Sequence, residues 1–92
     1  MKILLTALNS KYIHSNLAIR YLRAYTEKLD YNCTIREFTI NDILERVLEE
    51  IMGENPDIVA FSCYIWNIEY VKSLAVLIKL VNPKIKILYG GP

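Results

Sequence analysis

Seven positions in this chain are of a type and spacing that could do chemistry: His14, Cys33, Cys63, Ser62, Tyr64 and the pair Gly90-Gly91. His14 stands in the polar run Asn9-Ser10-Lys11-Tyr12-Ile13-His14-Ser15-Asn16. An imidazole there is free to offer a nitrogen to a metal, or simply to lie in solvent or cap a helix. Cys63 sits between Ser62 and the aromatic stretch Tyr64-Ile65-Trp66. A reactive thiolate needs a neighbouring cation or base, and none is supplied by the adjacent sequence, so Cys63 reads as a buried structural cysteine. Cys33 and Cys63 lie too far apart to suggest a disulfide framework or a metal clip. Three spaced cysteines for an iron–sulfur cluster do not occur in these residues. Gly90-Gly91 either lets a ligand approach the backbone closely or merely ends a strand in a turn.

The element that must position Ser62 and Tyr64 is the run Asp57-Ile58-Val59-Ala60-Phe61-Ser62-Cys63-Tyr64-Ile65-Trp66. It is short, β-branched at Ile58 and Val59, and framed by Gly53 and Pro56 in front and Asn67 behind. That pattern predicts a central parallel strand buried on both faces. In such sheets ligands collect beyond the carboxyl ends of the strands, where the strand order reverses, so Ser62 to Trp66 are expected at the binding edge. Around this strand the chain alternates. A first strand is predicted over 2–8, then a polar loop with Ser15 or Asn16 capping a helix over 17–29, whose stripe is Leu17, Ala18, Tyr21, Leu22, Tyr25 and Leu29. A second strand over 33–38 alternates in polarity and belongs near a sheet edge. Thr39 or Asn41 should cap a helix over 42–52 with Ile43, Leu44, Val47, Leu48 and Ile51 inward and Gly53 as its stop. Asn67 should cap a third helix to about residue 81, burying Val71, Leu74, Ala75, Ile78 and Val81. A fourth strand follows over 84–89. Strands alternating with helices in this way predict a parallel sheet with right-handed crossovers and strand order 2-1-3-4, a three-layer α/β domain of the flavodoxin-like or Rossmann-like kind.

Composition narrows the function. Ninety-two residues, 53% hydrophobic and 23% charged with net charge +1, make one small globular domain. That charge gives no electrostatic case for nucleic acid or an acidic membrane. The apolar start over 3–8 is too short for a signal peptide, no small-residue cleavage site follows it, and no run approaches membrane-spanning length. The expected compartment is therefore the cytoplasm, where the formal sequon Asn32-Cys33-Thr34 would go unused. The loop after the first strand lacks glycine, which excludes a dinucleotide fingerprint and a P-loop. Its strand ends without acidic residues, which disfavours a phospho-acceptor site. The chain stops at a strand tip, so residues 1–92 are expected to be the front end of a larger protein. Its open fourth strand could support self-association through the sheet edge.

The order and spacing of these positions resemble the cobalamin-binding domain of methionine synthase and the methylmalonyl mutases, whose pattern runs D-x-H-x-x-G, then S-x-L, then G-G. Here the corresponding residues are Tyr12-Ile13-His14-Ser15-Asn16-Leu17, Ser62-Cys63-Tyr64 and Gly90-Gly91. More closely, residues 1–29 with the terminal Tyr89-Gly90-Gly91-Pro92 look like the N-terminal module of B12-binding radical SAM proteins. The resemblance implies a cobalamin site formed by Tyr12, His14, Ser62, Tyr64, Gly90 and Gly91. Ser62 would offer a hydroxyl to the tail base, the glycines would permit close approach, and His14 would be the candidate cobalt ligand. It also implies a C-terminal radical SAM barrel in the same chain, with a three-cysteine 4Fe-4S cluster and S-adenosylmethionine. The parent would transfer a methyl group or rearrange a carbon skeleton, and the module itself would carry no catalytic residue. Tyr12 stands where the pattern has the aspartate that orients the histidine, Leu17 where it has glycine, and Tyr64 where it has leucine. Tyr12, Tyr64 and Trp66 could floor the corrin ring, or pack in the core or against a partner domain. The substitutions favour an alternative of another class, a degenerate Rossmann-like docking or assembly domain that has lost its cofactor. A flavodoxin-like nucleotide binder is disfavoured, because no phosphate-cradling loop follows the first strand.

Overall fold

Strand β1, Lys2–Asn9, is the axis of the sheet, and seven of its eight residues are buried. A computed structural model of the chain describes residues 1–9, 24 and 32–90. The predicted helix over 17–29 and the loop before it fall outside the described residues, apart from Ala24, which is helical and exposed. After β1 come β2 (Asn32–Thr39), helix α1 (Leu44–Gly53), β3 (Ile58–Ser62), helix α2 (Ile68–Val81) and β4 (Lys86–Gly90). All three strand pairings are parallel, and the order is β2-β1-β3-β4. This is the expected flavodoxin-like, Rossmann-like α/β architecture. β1 and β3 are apolar on both faces because both are interior strands; β2, at the edge, buries only Phe38 fully.

Alternation of side chains divides the core in two. On one face Leu4, Leu8, Phe38, Val59 and Phe61 pack beneath Val47 and Ile51 of α1 and Val71, Leu74 and Ile78 of α2. On the other, Ile3, Leu5 and Ala7 pack with Cys33, Ile35, Ile58 and Ala60. Thr6 occupies the first face among these apolar groups, and its buried hydroxyl has no hydrogen-bond partner among the described residues.

Several local expectations are corrected. Helix α1 begins after Ile43, which is its N-cap and is 60% exposed rather than part of the core. Neither Thr39 nor Asn41 caps it. Instead the Asp42 carboxylate accepts from Thr39 N–H at 2.8 Å and the Thr39 hydroxyl accepts from Asn41 N–H at 3.2 Å, which closes the β2–α1 turn on itself. Gly53 is the last helical residue rather than the stop. The reversal falls on Asn55, whose φ of 52° lies in the left-handed region that asparagine tolerates better than most residues. Val81 ends α2 exposed, and β4 starts at Lys86 rather than at 84. The free edge of β4 is apolar and open. Leu88 and Tyr89 are exposed, and a groove of about 920 Å³ runs between this strand and α2, floored by Val76, Leu80 and Ile87 and rimmed by lysines.

The amino end of the sheet is stapled by charge. Asp57 exchanges hydrogen bonds with Lys2, its carboxylate accepting from Lys2 N–H at 2.7 Å. Glu54, at the end of α1, pairs with the Lys2 ammonium at 2.9 Å and the Arg36 guanidinium at 2.8 Å, and Arg36 also reaches Glu50 at 2.6 Å.

Candidate functional site at the carboxyl edge of the sheet

The strand order reverses between β1 and β3, since β1 pairs with β2 on one side and with β3 on the other. That crevice is where an open α/β sheet offers a binding site. Its floor follows from the register. Ala7, Ser62 and Gly90 are partners across β1, β3 and β4, and they share the face of Ile3, Leu5, Ile58 and Ala60. One row deeper stand Leu5, Ala60 and Leu88. Side-chain size therefore steps down at the edge and leaves a low shelf, with Ala7 and Ser62 buried and Gly90 exposed. Glycine at 90 is required neither by the backbone, since no described glycine has positive φ, nor by internal packing. Among the described residues, a Cβ built there would meet nothing nearer than the Phe61 carbonyl at 4.0 Å. The absent side chain leaves room at Gly90, the exposed end of a row whose other two members, Ala7 and Ser62, are buried.

Beyond Ser62 the chain turns before entering α2. Cys63 N–H donates to the Gly90 carbonyl at 2.6 Å, joining the tips of β3 and β4. Asn67 N–H donates to the Tyr64 carbonyl at 3.1 Å, closing a turn over 64–67. Tyr64 and Trp66 project from that turn as a stacked pair, with ring centroids 5.2 Å apart and planes 5° from parallel, within the range favoured for aromatic pairs. Ile65 at the tip is 96% exposed and Trp66 44%, so these residues are surface and not core. A recess of about 570 Å³ lies against them, lined by Cys63, Tyr64, Ile65, Trp66 and Ile68.

The turn is held by Asn67, which is 1% exposed. The sequence predicts it as a helix cap, and it is the N-cap of α2, but its side chain makes no capping bond to the helix. The amide turns the other way. Its nitrogen donates to the Leu8 and Ser62 carbonyls, both at 3.0 Å, and its oxygen accepts from Tyr64 N–H at 2.7 Å. Alongside, the Tyr70 hydroxyl donates to the Asp42 carbonyl at 2.8 Å and ties α2 to the β2–α1 turn.

Among the expected site residues, Ser62 and Gly90 are brought side by side and Tyr64 stands just beyond them. Tyr12, His14 and Gly91 lie outside the described residues, as does Leu17. Ala7 and Asn67 were not anticipated as site residues. Ala7 is the smallest residue in a strand with three leucines and one isoleucine, but only the register shows that it completes the shelf. Burial, opposed by the hydrogen bond with Gly90, holds the Cys63 thiol above its ordinary value. It therefore stays protonated at neutral pH, although Cys63 is half-buried and lines the recess rather than being buried as expected. Burial likewise pushes the Tyr70 phenol up, helped by the Asp42 and Glu45 carboxylates. Among the described residues no three His, Cys, Asp or Glu side chains gather as a metal site, and no helix is long and apolar enough to cross a membrane.

Comparison with known proteins bears on this geometry. Residues 3–92 match the family model of the B12 binding domain. Among curated proteins, the chain is similar to the cobalamin-dependent radical SAM methyltransferase TokK of Streptomyces tokunonensis, 29% identical over 93 residues. That alignment covers 99% of this chain and 14% of the relative, so the chain spans about one-seventh of the protein it matches.

Proposed function

The chain belongs to the B12-binding domain family, and from that premise we propose that it is a cobalamin-binding module holding its cofactor at the carboxyl edge of the sheet. The observation that carries this reading is the shelf Ala7–Ser62–Gly90 at the switch point, where glycine serves no need of the described chain. The slender nucleotide tail of cobalamin requires such a low wall, and in this reading Ser62, buried in the ligand-free chain, turns its hydroxyl to a nitrogen of the tail base when the slot is filled. Tyr64, stacked on Trp66, offers an apolar face beside the shelf for the corrin. Tyr12, His14 and Gly91 complete the contacts in this reading, and His14 is the candidate cobalt ligand. Bound cobalamin would supply a cobalt centre that can carry a methyl group; in this reading the chain's own residues bind and orient it. By similarity to the methyltransferase, we extend the proposal to a longer cytoplasmic protein. There the module would face a radical SAM barrel with a 4Fe-4S cluster and S-adenosylmethionine.

An absorbance titration with hydroxocobalamin tests this. Saturable binding with displacement of the tail base is expected. Gly90→Val, which puts a side chain on the shelf, should weaken binding at least tenfold. It should leave the urea midpoint almost unchanged, because valine suits a strand and its Cβ has room among the described residues. An unaltered bound spectrum in His14→Ala would remove histidine ligation and keep the slot. Absence of binding would leave the second reading, a docking or assembly domain without cofactor, which the exposed Ile65, Leu88 and Tyr89 favour.

A further inference from the structure

The β1–β3 ladder ends at the pair Ala7–Ser62, and beyond it the two strands part. The next carbonyl of β1, that of Leu8, and the last of β3, that of Ser62, are bridged by the Asn67 amide nitrogen. A side chain thus continues the hydrogen bonding of the sheet across the crevice after the backbone has stopped doing so. The same amide fixes the foot of the aromatic turn through Tyr64 N–H. Both donors and the oxygen are engaged, and only one orientation of the amide satisfies two carbonyls and one N–H. Asparagine at a helix start ordinarily spends its oxygen on the first-turn N–H groups. Here that cap is given up, and a fully buried amide is kept for a contact that α2 itself does not need.

We propose that Asn67 is the positioning residue of the cofactor slot: it sets the width of the crevice between β1 and β3 and the stance of the Tyr64–Trp66 pair beside the shelf. This role rests on the cobalamin reading. Asn67 touches no ligand in it and acts through Ser62 and Tyr64. Aspartate cannot substitute, because a carboxylate would present oxygen to the Leu8 and Ser62 carbonyls. Serine keeps one donor and should restore part of the geometry.

Trp66 is the chain's single tryptophan, so fluorescence of the ligand-free chain reports the turn alone. The test compares wild type, Asn67→Ala, Asn67→Asp and Asn67→Ser. Ile51→Ala serves as a destabilised control, since it is buried in α1 away from the crevice. In Asn67→Ala and Asn67→Asp, Trp66 anisotropy should fall and hydroxocobalamin binding should weaken tenfold or more. Asn67→Ser should be intermediate, and Ile51→Ala should change neither quantity while folded. Binding by Asn67→Ala within twofold of wild type, with unchanged anisotropy, overturns the role of Asn67 and leaves the cobalamin reading intact. Failure of wild type to bind overturns that reading and the role with it. Should the Asn67 variants not fold, exchange of the Asn67 side-chain amide protons in wild type decides. Protection like that of core amides, with shifted resonances on adding hydroxocobalamin, supports the role. Exchange as fast as that of the exposed Asn55 side chain, or resonances unmoved by the cofactor, overturns it.

Discussion

At the amino end of the sheet four charged side chains, Lys2, Arg36, Glu50 and Glu54, form a chain of ion pairs that fastens α1 to β1 and β2. At the carboxyl end one neutral amide, Asn67, fastens β1, β3 and the aromatic turn. The first set is partly exposed, each side chain keeping roughly a quarter or more of its surface in water; the second is buried. The difference matches what each end has to do. Charges at the amino end are partly exposed and screened by solvent. At the open end a charge would compete for any ligand and carry a desolvation cost. A saturated amide fixes geometry without either effect, so the surrounding surface can be small, apolar and aromatic.

If this contrast is right, one amide should outweigh several ion pairs. Asn67→Leu, which strands the Leu8 and Ser62 carbonyls and Tyr64 N–H, should cost at least about 3 kcal/mol, from a penalty of about 1–3 kcal/mol for each of the three groups left unpaired. Urea unfolding checks this, and a loss no greater than that of an ion-pair variant would break the comparison. Next in size is a gain. Thr6 lies between the two ends with a buried hydroxyl lacking a described partner. Thr6→Val should therefore stabilise the chain by roughly 1 kcal/mol, the order of an unsatisfied polar group removed without change of shape. An unfolding midpoint lower than wild type would show that the hydroxyl is satisfied after all.

The large features of this arrangement were legible in the sequence because burial on both faces leaves a continuous apolar run, and β1 and β3 are such runs. Strand order followed from the alternation of elements, and the edge position of β2 from its mixed polarity. What spacing could not supply was where a stripe outlasts its support. Ile43 and Val81 continue the apolar period of their helices, yet they sit at the N-cap of α1 and the last turn of α2, and both are exposed. Gly53 looked like a helix stop by residue type, whereas the chain reverses at Asn55. Ser62 and Gly90 could be picked out by resemblance. Ala7 became a site residue only through its register with Ser62, and Asn67 only because two carbonyls distant in sequence converge at the switch point. Contacts of that kind belong to tertiary geometry, which local propensity does not encode.

The smallest expected effect is at the amino end, and it sharpens the comparison through pH and salt. Hydrogen bonds from Lys2 and then Arg36, with the charge of both, hold the Glu54 carboxyl below its ordinary value against a modest opposing effect of burial. A lowered folded-state pKa means that the contribution is present above the unfolded carboxylate value of about 4.3 and is lost as pH falls through the folded value. Exposed ion pairs are screened by solvent and contribute little to stability. Glu54→Gln should therefore lower the urea midpoint at pH 7 by less than Asn67→Leu does. The gap between wild type and Glu54→Gln should narrow below about pH 4 as the wild-type carboxylate takes up its proton, and should also narrow in 1 M salt at about a 3 Å screening length. Asn67→Leu should show neither dependence, because no titrating group takes part in its network. A gap at Glu54 that persisted in acid and in salt would mean that the amino end is held by packing of α1, and the contrast between the two ends would lose its electrostatic basis.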